Sequence, residues 1–372
     1  MTPSAMAVTE PARADPFLLE EVALAARNHG LPLEGLRYPV TPVGMHYLLT
    51  HFDIPVVDPA TWRLEVGGLV ERTLSLSLDE LRARPAVTTA VTMECAGNGR
   101  AGLSPRAVSQ PWLHEAVGTG AWTGTPLRGL LDEAGVASEA VEIVFSGLDR
   151  GVEEGIEHAY ERSLTPAEAR REDVLLAWAL NGLPLPPQHG FPLRLVVPGW
   201  YGMASVKWLS GIRAVAEPFE GIQQVQRYRM STSPDEPGEP ITRMAPRSLM
   251  VPPGVPDFLA RRRYVDPGPC RLEGRAWSGD GPVERVEVSA DGGETWLDAD
   301  LDPRPGPWAW RGWSAPWEPP GPGDYELCSR ATDAAGRRQP LEPGWNVGGY
   351  LNNAVQRVPV TVRPGPEDQA AT

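Results

Sequence analysis

Apolar and polar residues in the first part of the chain follow patterns that predict a mixture of short helices and strands. Apolar residues recur at helical spacing over 17–29, which predicts an amphipathic helix. Short helices are also predicted over 77–84, where Ser77 and Glu80 have capping-box spacing, and over 125–134. Alternating or continuous apolar runs predict strands over 62–66, 141–145 and 193–198.

From about residue 237 the pattern changes to one of strands and turns. Residues 237–269 are rich in proline and carry an arginine triplet, which predicts a linker. Seven of the 13 tryptophans lie between Trp277 and Trp345, which favours a packed domain. A hairpin turn signal occupies 291–293. Short strands are predicted over 283–289, 295–299, 308–313, 325–333 and 356–362.

These patterns predict an α+β protein of two domains. A mixed α/β domain is expected over 17–236 and an immunoglobulin-like sandwich over 270–365, joined by the linker. The terminal segments 1–16 and 366–372 are expected to be flexible tails.

Composition narrows the class of protein. Of the 372 residues, 41% are hydrophobic and 22% are charged, which excludes a disordered chain. No apolar run approaches the roughly 18 residues that a membrane span needs. The net charge of −14 argues against a nucleic-acid partner, because phosphate contacts dominate that affinity. Three cysteines do not form a disulfide framework, and the N-terminal residues show no export signal, so a cytoplasmic location is expected.

Cys95 is the first candidate for chemistry, because it enters the Gly-Asn-Gly turn of the segment ECAGNGR (94–100). The nearby Arg100 would lower the pKa of its thiol. The alternative is a structural cysteine, since a free cysteine behaves as a small hydrophobic residue. Cys270 and Cys328 lie on or beside predicted sandwich strands, where the structural interpretation is favoured.

A second candidate group surrounds the predicted strand at 193–198. His189, Arg194, Ser205 and Lys207 are polar residues that bracket this strand and a glycine-containing loop. Lys207 is the only lysine among 34 basic residues, and an ammonium group beside small residues favours a ligand anion. The alternative is a hydrogen-bonded core histidine and a surface arginine.

Other catalytic patterns are missing or weak. The chain has no zinc-binding spacing, no phosphate-binding loop and no GxSxG elbow, although a Ser/His/Asp triad stays open. The segment GNGRAG (97–102) matches a dinucleotide motif by letters only, because Ser104-Pro105 follow where a helix should run. Glu153 and Glu154 are expected to form a solvated turn.

Seven segments follow one another along the chain in a recognisable order. They are ECAGNGR (94–100), PWLHEAVGTGAWTGTPLRGLL (111–131), FSGLD (145–149), DVLLAWALNGLPLPPQHGFPLRLVVPGWYGMASVKWL (173–209), AWSGDGPVERVEVSADGGETW (276–296), WAWRGW (308–313) and WNVGGYLNNA (345–354). Together they resemble the sulfite oxidase family of molybdenum enzymes, in its form without a haem domain, and the resemblance covers nearly the whole chain.

The resemblance implies a molybdopterin-binding catalytic domain followed by an immunoglobulin-like domain that often forms dimers. It implies one Mo-molybdopterin per chain, no haem, and Cys95 as the thiolate that ligates molybdenum. The implied cofactor pocket consists of His51, Asp149, His189, Arg194, Ser205, Val206 and Lys207.

The implied substrate site is less complete. Arg100, Tyr228 and Trp112 resemble three of the family's substrate-site positions. Leu49 and Gly348 stand where the family pattern has arginines. A family lysine is also missing near Val108, and Arg106 is a candidate replacement from the same loop.

Each substrate-site residue also has a structural alternative. The alternative for Trp112 is core packing, and the alternative for Tyr228 is an ordinary interface aromatic. The alternative for Arg100 is a salt bridge to Glu94 or Glu115.

The implied reaction is oxygen-atom transfer to sulfite or a related small sulfur compound. Its electrons would pass to an external cytochrome, another carrier or oxygen. Reduction of an S-oxide or N-oxide is the alternative, because a neutral oxide needs fewer cations. A second alternative is a non-catalytic scaffold. Expected partners are the small anionic or sulfur-containing substrate and the electron acceptor, without nucleic acid or membrane, and a homodimer stays open.

Overall fold

Helices are few and short in this chain. The computed structural model describes residues 16–365, and this range contains five α-helices. They are α1 (Leu19–Arg27), α2 (Leu78–Arg82), α3 (Leu127–Ala134), α4 (Pro166–Ala169) and α5 (Ile222–Val225). The helices predicted over 17–29, 77–84 and 125–134 are confirmed as α1, α2 and α3. Of the predicted tails, 1–15 and 366–372 lie outside the described residues.

Local sequence explains where α2 begins and where α3 ends. At α2 the Ser77 hydroxyl accepts from the Glu80 backbone N–H at 3.2 Å, and the Glu80 carboxylate accepts from the Ser77 backbone N–H at 2.8 Å. At α3 the predicted start at residue 125 is too early, because a strand continues through Pro126. The helix then ends at Gly135, whose φ of +67° suits a glycine cap.

The described N-terminal part of the protein contains two sheets. Their strands are β1 (Leu64–Gly68), β2 (Leu74–Leu76), β3 (Val87–Glu94), β4 (Val117–Pro126), β5 (Glu142–Glu153), β6 (Ile156–Leu164), β7 (Leu175–Leu180), β8 (Leu183–Pro184), β9 (Arg194–Val196) and β10 (Leu209–Val215). The first sheet has the order β2-β1-β10-β5-β6, in which β1 and β10 are parallel and the other neighbouring strands are antiparallel. The second has the order β3-β4-β7-β8, with β9 also paired to β7.

Apolar side chains from both sheets meet in one core. Leu64, Phe145, Leu176 and Leu195 are all fully buried there, and Leu127 of α3 packs into the same cluster. Burying aliphatic and aromatic side chains in this way contributes roughly 1.5–3 kcal/mol each. The predicted strands over 62–66, 141–145 and 193–198 correspond to β1, β5 and β9.

Twelve further strands follow within the described residues. They are β11 (Arg229–Met230), β12 (Glu239–Pro240), β13 (Arg247–Met250), β14 (Val255–Pro256), β15 (Arg263–Val265), β16 (Cys270–Trp277), β17 (Val283–Ser289), β18 (Leu297–Asp298), β19 (Asp300–Leu301), β20 (Arg311–Trp317), β21 (Gly323–Asp333) and β22 (Gln356–Val362).

Strands β13–β22 form the predicted sandwich. One sheet has the order β13-β16-β20-β19 and the other β14-β15-β22-β21-β17-β18. Leu272, Val286, Trp313, Leu327 and Val360 fill the space between them.

The predicted strand at 308–313 differs in position from β20, which starts at Arg311. The reason is a contact with the N-terminal part, because the carbonyl of Trp308 accepts from the Thr92 backbone N–H at 2.9 Å.

Part of the segment predicted as a linker is strand instead. All four residues of β13 are buried, and this strand pairs with β16, while β15 pairs with β22. The Ser248 hydroxyl also lies 2.8 Å from that of Ser329 across the sandwich. Segment 237–269 therefore completes both sheets, because burial of β13 outweighs the local preference of proline for loops. The domain limits themselves stay a prediction.

The sandwich packs against the end of β3. Ala96 and Tyr201 of the N-terminal part share a buried cluster with Leu249, Trp277 and Trp310 of the sandwich region. Sandwich residues thus contact the turn that begins at Cys95. Within the range 16–365, no helix has the length and apolar character needed to cross a membrane.

Candidate active site

The turn after β3 holds Cys95 in a buried position. The backbone N–H of Cys95 donates to the carbonyl of Ala116 at 2.9 Å, and the Ala116 N–H donates to the Asn98 side-chain oxygen at 3.1 Å. Gly99 has a φ of +92°, and a Cβ atom there would lie 2.6 Å from the carbonyl oxygen of Asn352. The turn therefore requires glycine at this position.

The Cys95 thiol is a buried group rather than an exposed nucleophile. Burial raises the pKa of this thiol, and the positive charge of Arg100 opposes only part of that rise. Arg100 does lower the thiol pKa as expected, but desolvation has the larger effect. Cys270 and Cys328 lie on sandwich strands β16 and β21, and all three cysteines are unpaired.

Cys95 lines an inner cavity of about 60 Å³. Val206 does not line this cavity, because its side chain lies in the hydrophobic core and its N–H donates to the carbonyl of Ala204 at 3.1 Å. The other predicted cofactor residues do line it, namely His51, Asp149, His189, Arg194, Ser205 and Lys207. The lining also includes residues that sequence reasoning missed, among them His46, Tyr47, Met93, Tyr160 and Met203.

Two buried cations lie at this cavity without a salt-bridge partner among the described residues, although the Asp149 carboxylate acts electrostatically on Lys207. The Lys207 ammonium donates to the Leu49 carbonyl at 2.6 Å, and the Arg194 guanidinium donates to the carbonyls of His189 and Ser205 at 3.1 and 3.0 Å. Among residues 16–365, neither cation has a carboxylate within 4.0 Å. Burial lowers the pKa of Lys207 to about 7 and that of Arg194 to about 10.

Burial shifts the other titratable groups of the cavity towards their neutral forms. It raises the pKa of Asp149 to about 6, and it lowers the pKa of His51 to about 3 and that of His189 to about 2. Asp149 Oδ1 is buried and has no hydrogen-bond partner among the described residues. A buried acceptor without a partner costs about 1–3 kcal/mol, so this atom is available for a ligand.

These residues fit a molybdopterin group. Its phosphate would neutralise the two buried cations, and Asp149 Oδ1 offers an acceptor for a donor of the bound group. Gly190, with a φ of +105°, leaves room beside Lys207, because a Cβ there would lie 3.0 Å from Lys207 Cβ. The Cys95 thiol at the same cavity is a soft ligand of the kind that molybdenum binds.

An outer cavity of about 770 Å³ adjoins the inner one through shared residues. Leu49, His51, Cys95 and Tyr228 line both. Arg100 and Trp112 line only the outer cavity, so all three predicted substrate-site residues face it.

Arg100 is held without a carboxylate partner in the described residues. Its Nε donates to the Gly348 carbonyl at 3.2 Å and its Nη1 to the Gln110 carbonyl at 3.1 Å. Its guanidinium lies 5.0 Å from the ring centre of Tyr350. The alternative of a salt bridge to Glu94 or Glu115 is therefore wrong.

Tyr228 connects the two cavities. Its hydroxyl lies 2.6 Å from His51 Nε2, and its φ of +56° is unusual for a residue with a side chain. Such strain is retained where surrounding contacts fix the residue in place. Trp112 packs with Cys95 and Ala116 in a small buried cluster.

Arg106 does not supply the missing cation. Its guanidinium donates to both Glu21 carboxylate oxygens at 2.9 Å, in a pair that is almost fully buried. Leu49 and Gly348 supply no charge. Their backbone carbonyls accept hydrogen bonds from Lys207 and Arg100, respectively. Val108 lies exposed at the outer cavity.

The turn predicted at Glu153 and Glu154 is confirmed, since β5 ends there and β6 begins at Ile156. Both carboxylates pair with Arg227, at 2.5 and 2.7 Å. The two acids are therefore salt-bridge partners of one cation at the rim.

The residues that sequence reasoning missed carried only weak signals. Tyr160 lies on the alternating strand β6, but alternation does not say which face meets a cavity. His46 and Tyr47 lie outside the named helices and strands, where no periodicity applies.

Two family matches cover most of the chain. Residues 51–223 match the family described as "Oxidoreductase molybdopterin binding domain". Residues 239–363 match that described as "Mo-co oxidoreductase dimerisation domain". The boundary between the two matches lies within the strand-poor region around α5, β11 and β12.

Curated relatives match most of the chain in sequence, and a solved structure shares its fold. Sulfite oxidase of Gallus gallus is 37% identical over 338 residues, covering 86% of this chain and 72% of that protein. Mitochondrial sulfite oxidase of Homo sapiens is 36% identical, and this chain spans only 62% of its length, at 87% coverage of this chain. The crystal structure of the sulfane dehydrogenase SoxCD from Paracoccus pantotrophus matches with a TM-score of 0.77 and 26% identity, covering 98% of this chain and 96% of that one.

Proposed function

Since this chain belongs to the sulfite oxidase family of molybdenum-dependent oxidoreductases, we propose that it oxidises sulfite or a related small sulfur compound. The observation that carries the proposal is that the Cys95 thiol and the buried cations Arg194 and Lys207 line one cavity. For sulfite the balanced half-reaction is SO₃²⁻ + H₂O → SO₄²⁻ + 2 H⁺ + 2 e⁻. The two electrons pass to an external acceptor, which is a cytochrome, another carrier or oxygen.

In this proposal, residues that line the inner cavity would bind one Mo-molybdopterin. Cys95 would ligate the molybdenum, while Lys207 and Arg194 would bind the phosphate. The bound cofactor supplies two-electron redox chemistry and the transferable oxygen. His51, Asp149, His189 and Ser205 supply hydrogen-bonding groups at the cavity wall. Val206 fixes the loop between Ser205 and Lys207, because its carbonyl accepts from the Leu195 N–H at 2.8 Å.

The outer cavity receives the substrate. Arg100 binds an oxyanion with Nη2, which makes no hydrogen bond to the described residues, since Nε and Nη1 are held by carbonyls. Tyr228 orients a substrate oxygen from its position against His51. Trp112 closes the apolar side near Cys95 and excludes water.

Metal content combined with a sulfite assay tests this function. The protein is purified after expression with molybdate and a working cofactor pathway, and about one molybdenum per chain is expected from the single cofactor cavity. Sulfite is expected to reduce the metal in a single turnover. Cys95→Ser, a nearly isosteric control, is expected to keep the fold and lose the molybdenum–thiolate absorption.

Each alternative has its own result. Oxidation of the reduced enzyme by an S-oxide or N-oxide, without reduction by sulfite, would replace the proposal with the reductase. The reductase alternative is motivated by Leu49 and Gly348, which supply no positive charge at positions where the family pattern has arginines. Metal-free protein under the same expression conditions would favour the scaffold.

We further propose a homodimer formed through the sandwich, in a reducing cytoplasm. Support for the location comes from the three cysteines, none of which forms a disulfide. Light scattering after size exclusion measures the dimer, and fractionation of the native host measures the location.

A further inference from the structure

A further arginine lies behind the wall of the outer cavity. Arg162 is on β6, two residues after Tyr160, so both side chains lie on the same face of the strand. Tyr160 lines the inner cavity. Glu161 lies between them on the other face, where its carboxylate accepts from the Ser146 hydroxyl. The alternation therefore directs Arg162 towards the site.

The Arg162 charge is buried and not neutralised. Arg162 is 3% exposed, its Nη1 donates to the Gln223 carbonyl, and its buried Nε has no hydrogen-bond partner among the described residues. No carboxylate of residues 16–365 lies within 4.0 Å of it. Glu142 has only a weak electrostatic effect on Arg162, and its carboxylate accepts from the Phe219 N–H at 2.6 Å. An unpaired buried charge is costly to retain, which points to a functional use.

Two guanidinium groups enclose a pair of tyrosines at this point. Arg162 lies 5.5 Å from the ring centre of Tyr228, and Arg100 lies 5.0 Å from that of Tyr350. The two rings are 5.3 Å apart and both line the outer cavity. Arg162 thus adds positive charge next to Tyr228, and Arg100 adds positive charge next to Tyr350. Both charges act in a region of low dielectric constant, where their fields reach further than in water.

We propose that Arg162 is a positioning and specificity-determining residue of the substrate pocket, whose uncompensated charge strengthens oxyanion binding through the Tyr228 wall and holds Tyr228 against His51. It supplies positive charge in a pocket where Leu49 and Gly348 supply none. The proposal rests on the proposed function for its substrate, but it predicts anion affinity independently of turnover.

The competing explanation is purely structural, because Arg162 also binds the Gln223 carbonyl near the end of α5. Three variants of the holoenzyme separate the two. Arg162→Gln removes the charge, Arg162→Lys keeps it, and Arg213→Gln makes the same charge change at an exposed position on β10. For each, molybdenum content and thermal stability are measured first. Sulfate affinity by calorimetry and the KM and kcat for sulfite follow.

With normal molybdenum content, Arg162→Gln is expected to raise the sulfate Kd and the sulfite KM about tenfold or more, as loss of a charged interaction implies. The kcat is expected to stay within about threefold, because the charge acts on binding of the anion in the ground state and transition state alike. Arg162→Lys is expected to restore the affinity to within about threefold of wild type. Arg213→Gln is expected to match wild type.

Unchanged Kd and KM in Arg162→Gln would overturn the proposal. So would losses of kcat and of thermal stability that are as large in Arg162→Lys as in Arg162→Gln. If Arg162→Gln does not fold, Arg162→Lys decides alone, since a loss above about tenfold with full metal content contradicts a role of the charge. A wild-type enzyme that binds sulfate through Arg162 yet is not reduced by sulfite would refute the proposed function and leave this inference standing.

Discussion

Removing Arg247 tests how the sandwich holds the Cys95 turn. Glu94, the residue before Cys95, accepts from Arg247 Nη1 at 2.8 Å, from Trp277 Nε1 at 2.8 Å and from Asn98 Nδ2 at 3.0 Å. Arg247 and Trp277 belong to β13 and β16, so the carboxylate joins the two parts of the protein. The side chains of Glu94 and Arg247 are each 1% exposed, so solvent does not screen the pair.

The expected loss follows from the charge that remains. Arg247→Met fills a similar volume but leaves the Glu94 carboxylate buried with only neutral donors. It also removes donors to the Asn352 carbonyl and to His114 Nδ1, both at 3.0 Å. Breaking a buried ion pair in this way costs about 3–5 kcal/mol of unfolding free energy. Combining it with Glu94→Gln removes the stranded charge, so the double variant is expected to lose about 1–3 kcal/mol less than the sum of the single losses.

These losses are measured by urea unfolding of the cofactor-free protein, with tryptophan fluorescence and far-UV circular dichroism as the signals. Arg304→Met is the matched control, since Arg304 pairs with Glu284 at 2.6 Å in a contact whose side chains are about half exposed. That control is expected to lose at most about 1 kcal/mol. A loss below about 1 kcal/mol in Arg247→Met, or strict additivity in the double variant, would refute this account of the pair.

Three further predictions concern single residues of the site. Burial lowers the pKa of His114 from 6.5 to about 3, so unfolding takes up a proton between these values and stability falls as the pH drops below about 6.5. In urea titrations between pH 6.5 and 5, His114→Gln should flatten this fall by up to about 1.4 kcal/mol per pH unit, and an unchanged slope would contradict it. Lys207→Met should weaken cofactor retention about tenfold or more, read as molybdenum per chain after dialysis, with full retention as the opposing result. Gly99→Ala should lower the unfolding free energy by at least about 1 kcal/mol in thermal scans, because of the positive φ and the contact with Asn352, and wild-type stability would exclude that strain.

Local signals in the sequence were sufficient for several elements. The Ser77 and Glu80 spacing predicted the start of α2, since a capping box involves only neighbours in sequence. Periodicity predicted α1, β17 and most of β21 for the same reason. The boundaries that failed, at Leu127 and at β13, depend on strand pairing with distant residues.

The motif resemblance predicted most of the inner cavity but not its electrostatics. Lys207 was singled out as the lone lysine, and it does line the cavity with Cys95. Burial raises the pKa of the Cys95 thiol despite the nearby Arg100. The sequence could not predict this rise, because desolvation depends on how the surrounding chain packs.

Local periodicity and residue type are therefore enough to predict the α+β class, the sandwich and the candidate residues of contiguous motifs. Which charges stay unpaired depends instead on how distant segments of the chain pack. Arg106 is neutralised by Glu21 and Arg247 by Glu94, whereas Arg162 has no carboxylate partner in residues 16–365. Glu94 and Arg247 are 153 positions apart, so their contact depends on how the sandwich packs on β3. Whether an arginine binds a substrate or a neighbouring acid is a property of that packing, since all arginines carry the same charge in the sequence.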